Sequence, residues 1–267
     1  MFDINSLNEK QKIALLYGII AGDGCLSKYK IRRRSLCHAL TLTGSLDDDL
    51  PFFTEVVHPL LIHFRGKDTN IKFRKDCRAI EFNFTDRKLF DLLHSYGFPI
   101  GKKGQKLIIP EVFYKENLIK YIAQGFMATD GSLVLTKNPN KFYPRVESVV
   151  IHKDFLKQIY DYLTSIGLRG AYYLAKSKHN PKWLFPQEKY RFQFNGKDNL
   201  LLFGELVGFV NPKHKRKYEK FLEYNKNYNQ AIKNISLANQ IIVRTQINSE
   251  FVKIMAAPGV EPGTSCS

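Results

Sequence analysis

Cysteine is scarce and scattered in this chain. Cys25, Cys37, Cys77 and Cys266 are the whole set, and no two of them form a CxxC pair. That spacing offers neither a zinc-ligand quartet nor a disulfide framework, and it points to isolated reduced thiols inside a cell. No uninterrupted apolar run is long enough to cross a bilayer, so no membrane-spanning segment is expected. The opening residues MFDINSLNEK lack the layout of a signal peptide. The expected location is therefore intracellular: cytoplasmic in a prokaryote or organellar in a eukaryote. Acidic residues are also short in supply, with 25 Asp and Glu against 41 Lys and Arg and a net charge of +16. Such an excess suggests a polyanionic partner, but composition alone fits a nucleic acid, a membrane surface or a ribosome equally well.

What the chain does have is a repeat. Leu16-Tyr17-Gly18-Ile19-Ile20-Ala21-Gly22-Asp23-Gly24 returns as Ala123-Gln124-Gly125-Phe126-Met127-Ala128-Thr129-Asp130-Gly131, at an offset of 107 residues. Each copy closes an apolar, helix-like run, Ile13 to Ala21 and Leu118 to Ala128. Glycine inside a helix costs about 1 kcal/mol relative to alanine, so Gly18 and Gly22 need a compensating gain. Their four-residue spacing puts them on one face, where a second backbone can approach closely. Gly125, Ala128 and Thr129 make the matching face. Two such helices packed together would set Asp23 and Asp130 side by side, and adjacent carboxylates call for a cation between them. Gly24 is expected to end the first helix with a positive φ.

The text after each copy follows one order. Ser6 or Asn8 is a candidate cap for the first helix. Cys25–Lys30 and Cys37–Thr43 read as a hairpin, Leu50–Phe64 as a helix interrupted by Pro51 and Pro59, Asn70–Arg74 and Ala79–Phe84 as a second hairpin, and Leu89–Leu93 as a helix capped by Asp86. In the second half, Ser132–Thr136 and Arg145–Ile151 are strands, Lys153–Ile166 a helix ended by Gly167, Gly170–Ala175 and Tyr190–Asn195 strands, and Leu200–Val207 a helix. The expected fold class is α+β, a duplicated αββαββα unit with pseudo-twofold symmetry and two antiparallel, saddle-shaped sheets. The boundaries are 1–104 for the first half, 105–117 for a linker, 118–221 for the second half, 222–257 for a C-terminal helical extension and 258–267 for a Pro/Gly/Ser-like tail.

The duplicated motif resembles LAGLIDADG, and residues 9 to 221 look like a monomeric, two-motif LAGLIDADG homing endonuclease. This resemblance implies a sequence-specific, metal-dependent double-strand break within an asymmetric DNA site of roughly 20 base pairs, about two turns of duplex. It also implies intron homing and no obligate protein partner. Mg2+ would be the cofactor, Mn2+ a substitute, and Ca2+ an ion that binds without supporting efficient cleavage. The implied metal site comprises Asp23, Gly22, Asp130 and Thr129. The family's first acidic motif position is alanine here, Ala21 and Ala128, so those turns carry no second carboxylate pair. A basic residue is implied near each metal. Lys102 and Lys103 follow the first half, and the run Asn211 to Lys217 follows the second; Lys103 and Lys215 are favoured, and His152 and Lys153 are further candidates for the centre. Alternation along strands nominates DNA contacts at Lys28, Lys30, Arg32, Arg34, Thr41, Thr43, Lys72 and Arg74. The second half offers Ser132, Val134, Thr136, Lys137, Arg145, Glu147, Lys153, Arg191 and Gln193. The rival readings on the same fold are an intron RNA maturase and a DNA-binding regulator. An intein is disfavoured, since residue 1 is neither Cys nor Ser and no terminal His-Asn pair is present.

Overall fold

The computed structural model describes residues 2–31, 35–137, 142–175 and 188–225. Residues 1–224 form one compact unit and 225–267 a second. The readings made for Arg32, Arg34, Cys266 and nearly all of 222–267 lie outside the described residues.

Helix α1, Glu9–Asp23, starts at a reciprocal cap in which the Asn8 side chain accepts from the Gln11 amide and the Gln11 side chain accepts from the Asn8 amide. Strands β1, Gly24–Ile31, and β2, Ser35–Ser45, follow as a hairpin. Next come α2, Leu50–Phe52, one π-turn over Phe53–Val57, and α3, His58–Arg65. The two prolines open α2 and α3, where a missing amide costs least, so the run bends without breaking. Strands β3, Lys72–Arg74, and β4, Ala79–Thr85, lead to α4, Arg87–Ser95, whose first turn is capped by Asp86 accepting from the Leu89 amide at 3.1 Å. A short connection carries α5, Glu111–Lys115, into α6, Ile119–Thr129. The order then repeats: β5, Gly131–Thr136; β6, Tyr143–Val150; α7, Lys153–Ser165; β7, Ala171–Ala175; β8, Lys189–Asn195; α8, Lys197–Leu206. The run after Asn211, read from sequence only as a basic segment, is a further helix, α9, Pro212–Tyr224.

Both sheets have four antiparallel strands in the same order, β1-β2-β4-β3 and β5-β6-β8-β7. Each sheet buries one face. Leu26, Leu40, Leu42, Ile80 and Phe82 point inward in the first, with Phe53 stacked on Phe82 at 5.6 Å. Leu133, Val146, Phe192 and Phe194 do so in the second, against Phe155, Leu156 and Ile159 of α7. The opposite faces carry the alternate residues, which among the described residues are mostly half-buried or exposed. This is the duplicated αββαββα arrangement, and the pseudo-twofold relates its halves.

The two motif helices form the seam. A methyl on Gly18 would overlap the Ile122 carbonyl, and a methyl on Gly125 would overlap the Leu15 carbonyl, a reciprocal pair at the same 107-residue offset. Gly22 meets Thr129, its own counterpart, so the axis passes between them. Gly24 departs from expectation. Its φ is −116°, and glycine is needed there because a Cβ would run into the Ile20 and Leu42 side chains. Gly131 likewise sits against Met127.

Candidate functional site

The residues following Gly22 and Thr129 are Asp23 and Asp130, which therefore flank the axis. Both motif helices end here, so their unpaired carbonyls and the negative ends of their dipoles converge on the two carboxylates. Burial pushes the Asp23 carboxyl up to about 7, with the charges of Asp130 and Asp49 adding to the shift and Lys103 and Lys213 opposing it. Asp130 is also raised, chiefly by burial, and Lys103 again opposes. Four negative features thus crowd one water-poor spot, and a cation would relieve them.

Part of that relief is built in. The Lys103 ammonium donates to the carbonyls of Ala21 at 2.7 Å, Gly22 at 2.5 Å and Ile20 at 3.3 Å, closing the end of α1. Its loop is stitched to β1 by Gly101 N–H donating to the Leu26 carbonyl at 2.7 Å. The second half closes α6 differently. The Asn211 amide donates to the Ala128 carbonyl at 2.8 Å, in the place that Lys103 takes on Ala21. Lys213 donates to Asp49 Oδ1 at 2.6 Å, and Asn211 donates to the same oxygen at 3.3 Å. Lys215, favoured from sequence, turns outward: it pairs with Glu219 at 3.9 Å on α9 and lines a surface groove with Phe2 and Glu55. The lysine at the centre in this half is Lys213. Lys102 is exposed.

The other sequence candidates separate by strand parity. Lys72 and Arg74 pair with Glu81 and Ala79, and Thr41 and Thr43 with Asn83 and Glu81, all on the open face of the first sheet. Ser132 pairs with Glu147 and Val134 with Arg145 on the open face of the second, where Thr136, Arg191 and Gln193 also lie. Lys137 follows β5 and is exposed. Lys28 and Lys30 depart from the expected side. They share parity with buried Leu26, and Lys28 lines a groove with His38, Asp86 and Arg87 at the start of α4. Ser27, Tyr29 and Ile31 hold the open-face positions of β1, and Asn83, Glu81, Tyr143 and Asn195 are open-face residues not singled out from sequence. Lys153 opens α7 with its ammonium 5.7 Å from the Tyr190 ring, on the helix side. His152 is buried and holds the Gly104 carbonyl next to Lys103.

A divalent ion fits this centre in a particular way. Among the described residues no group of three or more His, Cys, Asp or Glu side chains gathers as a metal site. Two carboxylates at two helix ends suit a hard ion that keeps several waters and takes its remaining ligands from phosphate, as Mg2+ does. The Gly22 carbonyl is engaged by Lys103, and the Thr129 hydroxyl donates to the Phe126 carbonyl at 2.9 Å, so the carboxylates are the freest donors.

Known structures share this architecture. I-DmoI in complex with DNA and Ca is 17% identical, with a TM-score of 0.56 over 82% of this chain and 100% of its own. The I-LtrWI LAGLIDADG homing endonuclease bound to target DNA is 12% identical, with a TM-score of 0.55 over 90% of this chain and 98% of its own. The fold is that of the LAGLIDADG homing endonucleases. Meganuclease I-SmaMI bound to uncleaveable DNA adds a third match, 12% identical with a TM-score of 0.50 over 86% and 97% of the two chains. No protein-family model matches the chain. A curated protein, the probable translation initiation factor IF-2 of Methanocaldococcus jannaschii, is 22% identical over 220 residues, 82% of this chain. The chain spans 17% of that relative's length.

Proposed function

We propose that the protein is a monomeric, two-motif LAGLIDADG endonuclease that makes a divalent-metal-dependent double-strand break at an extended, asymmetric DNA site. The observation that carries this reading is the convergence of Asp23 and Asp130 at the ends of two tightly packed, duplicated helices, between two sheets with open faces. The likeness in fold to three DNA-bound enzymes supports it.

Asp23 and Asp130 would hold the metal, with Mg2+ as the working ion and Mn2+ as a substitute. When bound, the metal supplies charge stabilisation at the scissile phosphate and a more acidic water. Lys103 lies beside both carboxylates and adds positive charge where the phosphodiester would sit. Lys213 does so on the other side. Open-face side chains such as Thr41, Lys72, Arg74, Arg145, Glu147, Arg191 and Gln193 would meet base edges or phosphates along a duplex, each bidentate base contact contributing about 1–3 kcal/mol of discrimination. The two faces differ residue by residue, so a palindromic site is not required.

A library of randomised duplexes incubated with the protein in Mg2+, and in parallel with chelator, tests the reading. Selective cleavage of one sequence class, abolished by chelator, is expected. Uncut duplexes in Mg2+ and Mn2+, together with selective binding to a structured intron RNA, would overturn the nuclease in favour of an RNA-binding protein on the same fold.

A further inference from the structure

Asp49 and His152 occupy equivalent places in the two halves. Each is the N-cap residue of the helix that follows the second strand of its sheet, Asp49 before α2 and His152 before α7. Neither side chain makes the usual cap bond to its own helix. Both are buried, and both reach into the opposite half. Asp49 accepts from Lys213 and Asn211 through Oδ1 and from the Ser45 amide through Oδ2 at 3.0 Å. His152 Nδ1 lies 2.6 Å from the Gly104 carbonyl. A carbonyl only accepts, so Nδ1 carries the proton and donates. The contact is reinforced by Gln105, which donates to the Ile151 carbonyl at 2.9 Å and accepts from the Lys153 amide at 3.2 Å.

We propose that Asp49 and His152 are positioning residues that cross the pseudo-twofold axis, each holding the opposite half's lysine segment against the carboxylate pair, and that their different chemistry lets the two strand cuts be broken separately. Asp49 grips the working ammonium itself. His152 grips the backbone beside Lys103 and leaves that ammonium to the α1 carbonyls. Loss of the first therefore acts through Lys213 and loss of the second through Lys103. The inference rests on the nuclease reading for its strand-cutting consequence, though not for the bracing.

The test uses the full chain in three variants, Asp49→Asn, His152→Ala and Lys213→Met. Asparagine keeps the shape of Asp49 and its acceptor for Ser45 but loses the charge that holds Lys213. On a duplex cut by the unaltered protein and labelled on each strand, Asp49→Asn and Lys213→Met should slow the same strand by about 10–100-fold, and their combination should add little. His152→Ala should slow the other strand. Duplex binding in Ca2+ should stay within about twofold for His152→Ala and Asp49→Asn, which keep both lysines, whereas Lys213→Met removes a cation beside the phosphate and should bind more weakly. Hydrogen exchange gives a readout independent of cutting: amides of 211–217 should loosen in Asp49→Asn, and those of 102–106 in His152→Ala. Equal slowing of both strands, additive losses, or unchanged exchange in the opposite half's segment would overturn the proposal. Failure of the unaltered protein to cut any duplex would overturn the nuclease reading instead, and exchange would still decide the bracing.

Discussion

The two halves share one element order and one sheet order, yet they finish their motif helices with different chemistry. In the first, a lysine from the loop after α4 bridges three carbonyls at the end of α1. In the second, an asparagine takes the carbonyl and the lysine is diverted to an aspartate of the first half. The backbone seam is symmetric because only glycine permits carbonyl contact at Gly18 and Gly125. The side chains around it are free to diverge, since they have only to keep positive charge near Asp23 and Asp130. Duplication thus fixes the scaffold, while the side chains that close the two motif helices differ between the halves.

The largest effect should come from the shared element. Asp23→Asn or Asp130→Asn should reduce Mg2+-dependent double-strand cutting by roughly a thousandfold or more, because each removes a charge from the proposed metal site. Binding of the same duplex in Ca2+, measured alongside, should persist. Full cutting by either variant would exclude that aspartate.

Next come the lysines, which sharpen the contrast between halves. Lys103→Met and Lys213→Met should each cut rates by about a hundredfold, in the range lost with one preorganised donor. Lys215→Met, altering an outward-facing side chain paired with Glu219, should change rates by about twofold or less, as for an exposed ion pair. Single-turnover rates on one duplex rank the three; a larger loss for Lys215 than for Lys213 would restore the sequence-based choice.

The seam predicts a stability effect that is equal in the two halves. Gly18→Ala and Gly125→Ala should each destabilise by about 3 kcal/mol, as overpacking against a backbone allows little relaxation. Denaturant melts would read the pair. A gap of several kcal/mol between them would show that the helices do not meet symmetrically.

A smaller effect follows from Asp23 titrating near 7 in the folded, metal-free protein. An unfolded chain releases that proton near pH 4, so the folded form holds it between roughly pH 4 and 7 and loses stability as pH rises through that window. Asp23→Asn should therefore be more stable than the unaltered protein at pH 8 by on the order of 1–3 kcal/mol, with the gap closing by pH 5. Melting temperatures in chelator at the two pH values check the sign.

How much of this was legible depended on whether a feature had a periodic signature. The motif repeat, the hairpins and the Asp86 cap all carry local signals, and the fold follows from them. Strand parity was readable in β4 and β6, where Ile80 alternates with Glu81, and Val146 with Glu147. It was not readable in β1, because Lys28, Tyr29 and Lys30 put polar or amphipathic residues on both faces beyond the core. Asp49 hid in the acidic turn Asp47-Asp48-Asp49, where nothing local marks the third aspartate as the one that turns inward. Lys213 rather than Lys215 reaches Asp49 because that lysine-rich run is the first turn of α9, where residues two apart lie on opposite sides, a phase the run of lysines does not reveal. Gly24 was credited with a positive φ, whereas its requirement is tertiary and depends on Leu42 from another strand.

The most direct test of the central claim, one cation centre shared by the two halves, is Mn2+ uptake by the protein bound to its duplex, followed by calorimetry at pH 8 and pH 6. The account predicts uptake at pH 8 that weakens by about tenfold at pH 6, as protons compete for a carboxyl titrating near 7, and that is lost when Asp23 and Asp130 are both asparagine. Undiminished, pH-independent Mn2+ uptake by that double variant would contradict it.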